Sequence, residues 1–267
     1  MNEYSFTSFI LAIKSAGFVS SRLINSQMTL DFAYTLYLIL NSSKEIDKTQ
    51  IKRFVSKWYV LTTLTGRYIS SPEMIMDSDI KKIKERGFPK FLSEIEEASL
   101  SDVFWEVGLV QALETSAVNS PYINVFLAAQ IHNGDNSLFM NGCKVRDLIT
   151  TMGDVHHIFP KAYLQKNGLN DKSVYNQIAN LIFLDTSTNN SISDKPPKVY
   201  FIEAIEQCNS DNFKYGNITD IEILKMNIKT NCIPWTIHEM QHEDFQSFLI
   251  ERRKLMALKI RSYYYSL

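Results

Sequence analysis

Two of the chain's five histidines are neighbours, His156 and His157, in the run GDVHHIFPK at residues 153–161. Adjacent residues on a strand point to opposite faces, so a single packing role does not account for both. Imidazole titrates near neutrality, which suits it to take a proton from water. Asp154 falls on the face of His156 by alternation. It is a candidate to hydrogen-bond that ring or a metal-bound water, and an exposed strand-entry carboxylate is the bland alternative. Pro160 supplies a turn after the run. Further on stand Asn180 in IANLIFLD, then Asn189 and Asn190 in TSTNNSISDK. Read as strand, strand and short helix, these residues have the layout of a one-metal phosphodiesterase site. Such a site needs a base for water, a divalent cation for the charge developing on phosphorus and on the leaving oxygen, and an amide to fix the base. The structural alternatives are a strand-end pair with one buried histidine, and turn or N-cap asparagines.

The surrounding elements read as mostly helical. SFTSFILAIKSAG keeps Phe6, Phe9, Ile10 and Ile13 on one face and stops at Gly17. SQMTLDFAYTLYLILNSS is the most apolar of the early helices and is expected at the centre of a bundle. The next helix starts after an Asp47 cap and ends near Gly66. SSPEMIMDSDIKKIKERGF carries Lys81, Lys82, Lys84 and Arg86, a run that is more often a solvated face than a nucleic-acid contact. SDVFWEVGLVQALETSA, with Ser101 as its cap, and SPYINVFLAAQIH, opened by Ser-Pro, complete the first part. The loop NGDNSLFMNGCK marks a change of character. Beyond it come the strands VHHIF and ANLIFLD, a helix behind Pro196 and Pro197, and a long final helix with Phe245, Phe248, Leu249, Leu255 and Ile260 facing inward.

DVHHIFPK, IANLIFLD and TNNSISDKPPKVY together resemble the HNH (ββα-metal) nuclease motif in the C-terminal half of GmrSD-type restriction and phage-defence proteins. In that family an acidic residue or histidine precedes the catalytic histidine. I-x-P, an N-L on the second strand, and a metal-binding Asn or His on the helix follow. The resemblance implies a mainly α protein, a helical bundle with an embedded small ββα-metal motif. It divides the chain into a helical part at 1–135, a nuclease core at 136–210 and C-terminal helices at 211–267 packed on that core. It makes His157 the general base and His156 the first metal ligand. Asn180 becomes the amide that ties the loop and orients the base, and Asn189 the second metal ligand, with Asn190 its adjacent competitor. The implied activity is metal-dependent hydrolysis of DNA, nicking before double-strand cleavage. Mg²⁺ or Mn²⁺ is the expected ion. Ni²⁺ and Zn²⁺ are alternatives, because histidine stands where many such sites carry aspartate and is a softer ligand. FVSKWYVLTTLTGRYISSPE and DFQSFLIERRKLM resemble the family's flanking helices. The D-G-Q-Q-R signature of its sensor and nucleotide-hydrolysing domain does not occur in the chain, so that domain is an expected partner alongside DNA.

Lys161, Lys195 and Lys198 flank the motif and are candidates for binding backbone phosphates. Arg252, Arg253 and Lys254 on the last helix are expected to be solvated, or docked on helix carbonyls, rather than on DNA. His238-Glu239-Met240-Gln241-His242 matches the H-E-x-x-H signature of zinc proteases. Pro234 and Trp235 just upstream, and the lack of a preceding strand, favour a polar turn there.

Composition sets outer limits. A net charge of -1 in 267 residues gives no global field for polyanions, so any such site is a local patch. Three cysteines without C-x-x-C spacing argue for reduced thiols. With no apolar run of membrane-spanning length and no basic stretch ahead of the first apolar residues, a cytoplasmic location is expected. The competing class is a catalytically silent DNA- or protein-binding module built on a degenerate nuclease fold.

Overall fold

The computed structural model describes residues 3–151, 153–210 and 212–267. The first part runs through α1 (Glu3–Ser15), α2 (Gln27–Ser42), α3 (Ile51–Thr65), α4 (Pro72–Arg86) and α5 (Phe88–Ser99). Local chemistry sets their ends. Ser26 accepts the Thr29 backbone N–H at 3.2 Å at the start of α2, and Asp47 caps a 3-10 turn that leads into α3. Gly66, left-handed at φ 62°, closes α3. The stretch after Ser101 winds wider than expected. A π-helical turn at Phe104–Gly108 runs into the short α6 (Leu109–Ala112). Ser101 still caps it, accepting the Phe104 N–H at 3.2 Å. Then come α7 (Pro121–Asn133), capped by Ser120, and α8 (Val145–Thr151).

The centre of the bundle is α3 and α7, not α2. Val55 through Thr62 of α3 and Ile123 through Ile131 of α7 are buried on every side. α2, more apolar than α3, leaves Met28 and Leu38 exposed on its outer face. Hydropathy places α2 above α3; the difference comes from position, since α3 is walled by α1, α2, α5, α7 and the last helix. Gly17, at φ +101°, lets the turn after α1 lie on the backbone of Ala128 in α7, where a Cβ would overlap the Ala128 carbonyl. Asp79 of α4 is fully buried. Arg67 grips it side-on through Nε at 2.8 Å and Nη2 at 2.6 Å, and Tyr68 adds a hydroxyl at 2.9 Å.

The second part carries the strands. β1 (Asp154–His157) is followed by α9 (Lys161–Lys166) and α10 (Lys172–Tyr175). Next come β2 (Leu181–Leu184) and α11 (Thr186–Ile192). The strands are antiparallel, with His156 opposite Ile182 and His157 opposite Leu181, and α11 packs on β1. α12 (Pro197–Gln207), α13 (Ile221–Thr230) and the long α14 (Phe245–Ser266) complete the chain. The protein is thus mainly helical with one small two-stranded sheet. α14 runs back across α3, α6 and α7 and also touches the turn before β2, so one cluster of buried apolar side chains extends from Phe9 to Tyr264. Leu255 is only half-buried, but Phe245, Phe248, Leu249 and Ile260 face the core as expected. Among the described residues no helix is long and apolar enough to cross a membrane. Cys143, Cys208 and Cys232 are all free.

Candidate functional site

The turn between β1 and α9 is held from three directions. Asn180, fully buried, accepts the Phe159 N–H with Oδ1 at 2.8 Å. It donates through Nδ2 to the carbonyls of Phe159 at 3.1 Å and Tyr175 at 2.9 Å. The Tyr200 hydroxyl donates to the Ile158 carbonyl at 2.7 Å. The Phe159 ring packs on Phe245 and Phe248 of α14, with centroids 5.1 and 4.9 Å away. Asn180 therefore ties the loop. It is not the residue that orients the histidine.

Asn176 does that. Its Oδ1 lies 2.9 Å from His157 Nε2. A carbonyl oxygen only accepts, so Nε2 carries the hydrogen and Nδ1 holds the lone pair. The Tyr175 ring stands edge-on to the imidazole at 6.2 Å, and the Lys161 ammonium lies over the Tyr175 ring, 5.6 Å from its centroid. Burial lowers the His157 pKa; Asn176 works against this, and the Lys161 charge adds to it. The ring is thus neutral and available as a base at neutral pH.

His156 is 6% exposed, and its Nε2 has no hydrogen-bond partner. Burial pushes its pKa down to about 4, against the favourable effect of the nearby Asn189 side chain. Because β1 ends at His157 and the chain turns, both imidazoles border one open cleft of about 470 Å³. Lys161, Asn189 and Ser193 line it too. Asn189 reaches it from α11 and donates to Asp154 Oδ2 at 3.4 Å. Asp185 starts α11 by capping the Thr188 N–H at 2.9 Å. Ser193 ends it at φ 53°, a strained conformation for a non-glycine residue at the cleft's edge. Asn190 is exposed and lies off the cleft.

The donors gathered here are one imidazole nitrogen, one amide and the half-buried Asp154 carboxylate. Among the described residues no group of three or more His, Cys, Asp and Glu side chains is placed to hold a metal. A cation here would take the orphaned His156 Nε2, Asn189 and Asp154 and complete its shell with water. That oxygen-rich set suits a hard, hydrated divalent ion.

The flanking cations divide. Lys161 borders the cleft. Lys195 is engaged with Glu203 at 3.1 Å and the Tyr215 hydroxyl at 2.6 Å, and Lys198 is exposed on α12. On α4, Lys81 pairs with Asp77 at 2.6 Å and Arg86 with Glu94 at 2.7 Å, in keeping with a solvated face. Arg252 is fully buried and donates through Nη1 to the carbonyls of Ala179 and Leu181, both at 2.8 Å. It is docked on carbonyls, one in the 3-10 turn Ile178–Asn180 and one at the start of β2, and it clamps the residues on either side of Asn180. The signal for its burial lay in its spacing, three after Leu249 and four before Met256. Its neighbour Arg253 holds Gln177 at 2.8 Å and Glu114 at 3.3 Å. Asn176 had no such signal beyond its nearness to Asn180. The H-E-x-x-H run splits into two 3-10 turns, Trp235–Glu239 and His242–Asp244, around an extended Met240. His238 bonds the Trp235 carbonyl at 2.6 Å and His242 pairs with Glu243 at 3.1 Å, so the one-turn helical spacing a zinc pair needs is absent.

No family model and no solved structure matches the chain. It is similar to an uncharacterized protein of Methanocaldococcus jannaschii, with 27% identity over 222 residues, 77% of this chain and 36% of that protein. The chain thus spans about a third of the length of the curated relative it matches.

Proposed function

We propose that the chain is an HNH-type, metal-dependent DNA endonuclease of a restriction or phage-defence system, and that it nicks one strand per engagement. One observation carries the reading. His157, its tautomer set by Asn176, shares a cleft with His156, whose buried Nε2 has no partner, and with Asn189 on the helix after the second strand. On this reading strand, strand and helix bring His157 together with the residues that would act as metal donors.

On this reading His157 takes the proton of the attacking water at Nδ1, while Nε2–H stays on Asn176 and keeps the ring from turning. Asn180 and Arg252 hold the loop that carries the ring. Lys161, at the cleft wall, is placed to meet a backbone phosphate. His156, Asn189 and Asp154 would hold Mg²⁺ or Mn²⁺, with Ni²⁺ or Zn²⁺ as the softer alternatives. When bound, the ion supplies positive charge against the developing phosphorane and the leaving oxygen. The partners on this reading are DNA and a sensor domain of the kind the resemblance implies. A cytoplasmic location goes with three free cysteines.

The deciding experiment is cleavage of supercoiled plasmid with Mg²⁺, Mn²⁺, Ni²⁺ or EDTA, comparing the wild type with His157→Ala. Open circle formed only with metal, and only by the wild type, supports the assignment. Retention of DNA without cutting in any metal favours a silent binding module instead.

A further inference from the structure

Behind the sheet lies a cavity of about 420 Å³. Leu23, Phe126, Leu127, Ile149, Ile182 and Phe183 give it an apolar wall, and the exposed side chains of Val118 and Val155 stand at its rim. Two arginines line it: Arg22, whose side chain is exposed, and Arg252, which is 1% exposed and is the buried cation of the wall. Its Nη1 is occupied by the Ala179 and Leu181 carbonyls. Its Nε has no partner, and no carboxylate pairs with the group.

This sets Arg252 apart from the other sheltered cations among the described residues. Lys57 pairs with Glu96, Arg67 with Asp79, Arg253 with Glu114 and Lys259 with Asp135. A guanidinium withdrawn from water without a counter-ion is costly, because two carbonyl dipoles replace only part of its hydration. The side-on Nε/Nη2 edge is the one by which Arg67 grips Asp79, and in Arg252 it lacks an anion. Two parallel N–H groups match the two oxygens of a carboxylate. The apolar wall suits a hydrocarbon body, and the volume falls at the small end of ligand cavities, roughly 300–1,000 Å³.

We propose that this cavity binds a small apolar carboxylate, its anionic end seated on Arg252 and its hydrocarbon body against Phe126, Leu127 and Phe183. The cavity adjoins the histidine cleft at Val155, which lines both, but contains neither histidine, and the proposal holds whether or not that cleft cuts DNA.

The test is calorimetric titration of the full chain with decanoate and, as the uncharged counterpart, 1-decanol. Decanoate is expected to bind at one site, about tenfold or more tighter than the alcohol. Val118→Trp, at the exposed rim, is expected to weaken decanoate about tenfold or more by closing the entrance. Arg252→Gln is expected to erase the preference for acid over alcohol. Should that variant fail to fold, the wild-type comparison and Val118→Trp decide. No decanoate binding, equal affinity for acid and alcohol, or unchanged affinity in Val118→Trp would each overturn the proposal.

Discussion

Asn176 and His157, nineteen positions apart, are joined by a 2.9 Å hydrogen bond from Nε2 to Oδ1. That bond leaves the lone pair on the other ring nitrogen, the base of the proposed reaction. Asn176→Ala is therefore expected to lower the nicking rate about 10- to 100-fold, the usual effect of losing an orienting partner. Asn176→Asp gives a separate readout. A carboxylate beside the ring favours the imidazolium, so the acid limb of the pH–rate profile should move upward. An unmoved limb would remove Asn176 from this role.

His157→Ala should lose about 10²- to 10⁴-fold in nicking, the range of general-base contributions, while unfolding at nearly the wild-type temperature. Asn189→Ala should instead raise the Mn²⁺ concentration needed for half-maximal cutting, by about tenfold or more. If the two variants behaved alike, the division between base and metal donor would be wrong.

Asn180→Ala removes the amide that joins Phe159 and Tyr175 across the turn, leaving three backbone groups without that side chain. The expected loss is about 3 kcal/mol of stability, read by urea unfolding. A loss under about 1 kcal/mol would mean that water replaces the amide.

The buried His156 makes stability depend on pH in the metal-free protein. Its pKa is about 4 when folded and near 6.5 when unfolded, so the unfolded chain takes up the proton first. The contribution is fully present above pH 6.5 and is lost at about 1.4 kcal/mol per pH unit as pH falls toward 4. Urea unfolding in EDTA should show this slope in the wild type and a flatter one in His156→Gln. Equal slopes would assign the effect to other groups.

Gly17→Ala should destabilise by about 3 kcal/mol or more, since φ +101° strains an alanine and its Cβ meets the Ala128 carbonyl. Circular-dichroism melting measures this directly. An unchanged melting temperature would mean that α1 moves off α7 at little cost.

Whether a feature could be read from the sequence depended on how far apart its parts lie. Ser26, Asp47, Gly66 and Ser120 act on backbone within a turn of themselves, so residue type and position were enough to find them. The two strands and the helix after them were equally visible, because β-branched and apolar runs flank the polar residues. The histidine pair and Asn189 meet at one cleft as the spacing suggested, and Asn190 points away because one residue on a helix is a 100° turn. Asn176 and Arg252 were not legible in their roles. The first works across a loop and the second across 73 positions, and no local pattern encodes such a contact. The bundle's centre was misplaced for a related reason. Hydropathy places α2 above α3, while burial depends on how many neighbours surround each helix.

The clamp from Arg252 to the carbonyls of Ala179 and Leu181 also has a consequence in time. The guanidinium is encoded 71 residues after Leu181. At roughly 5–20 residues per second of synthesis, β2 and its loop are made several seconds before the helix that secures them. During that interval the growing chain already holds both histidines but not the buried cation that fixes the loop beside them. Completion of the cleft is therefore one of the last events in the birth of the molecule, and a chain released before α14 carries the histidines without the scaffold that aligns them.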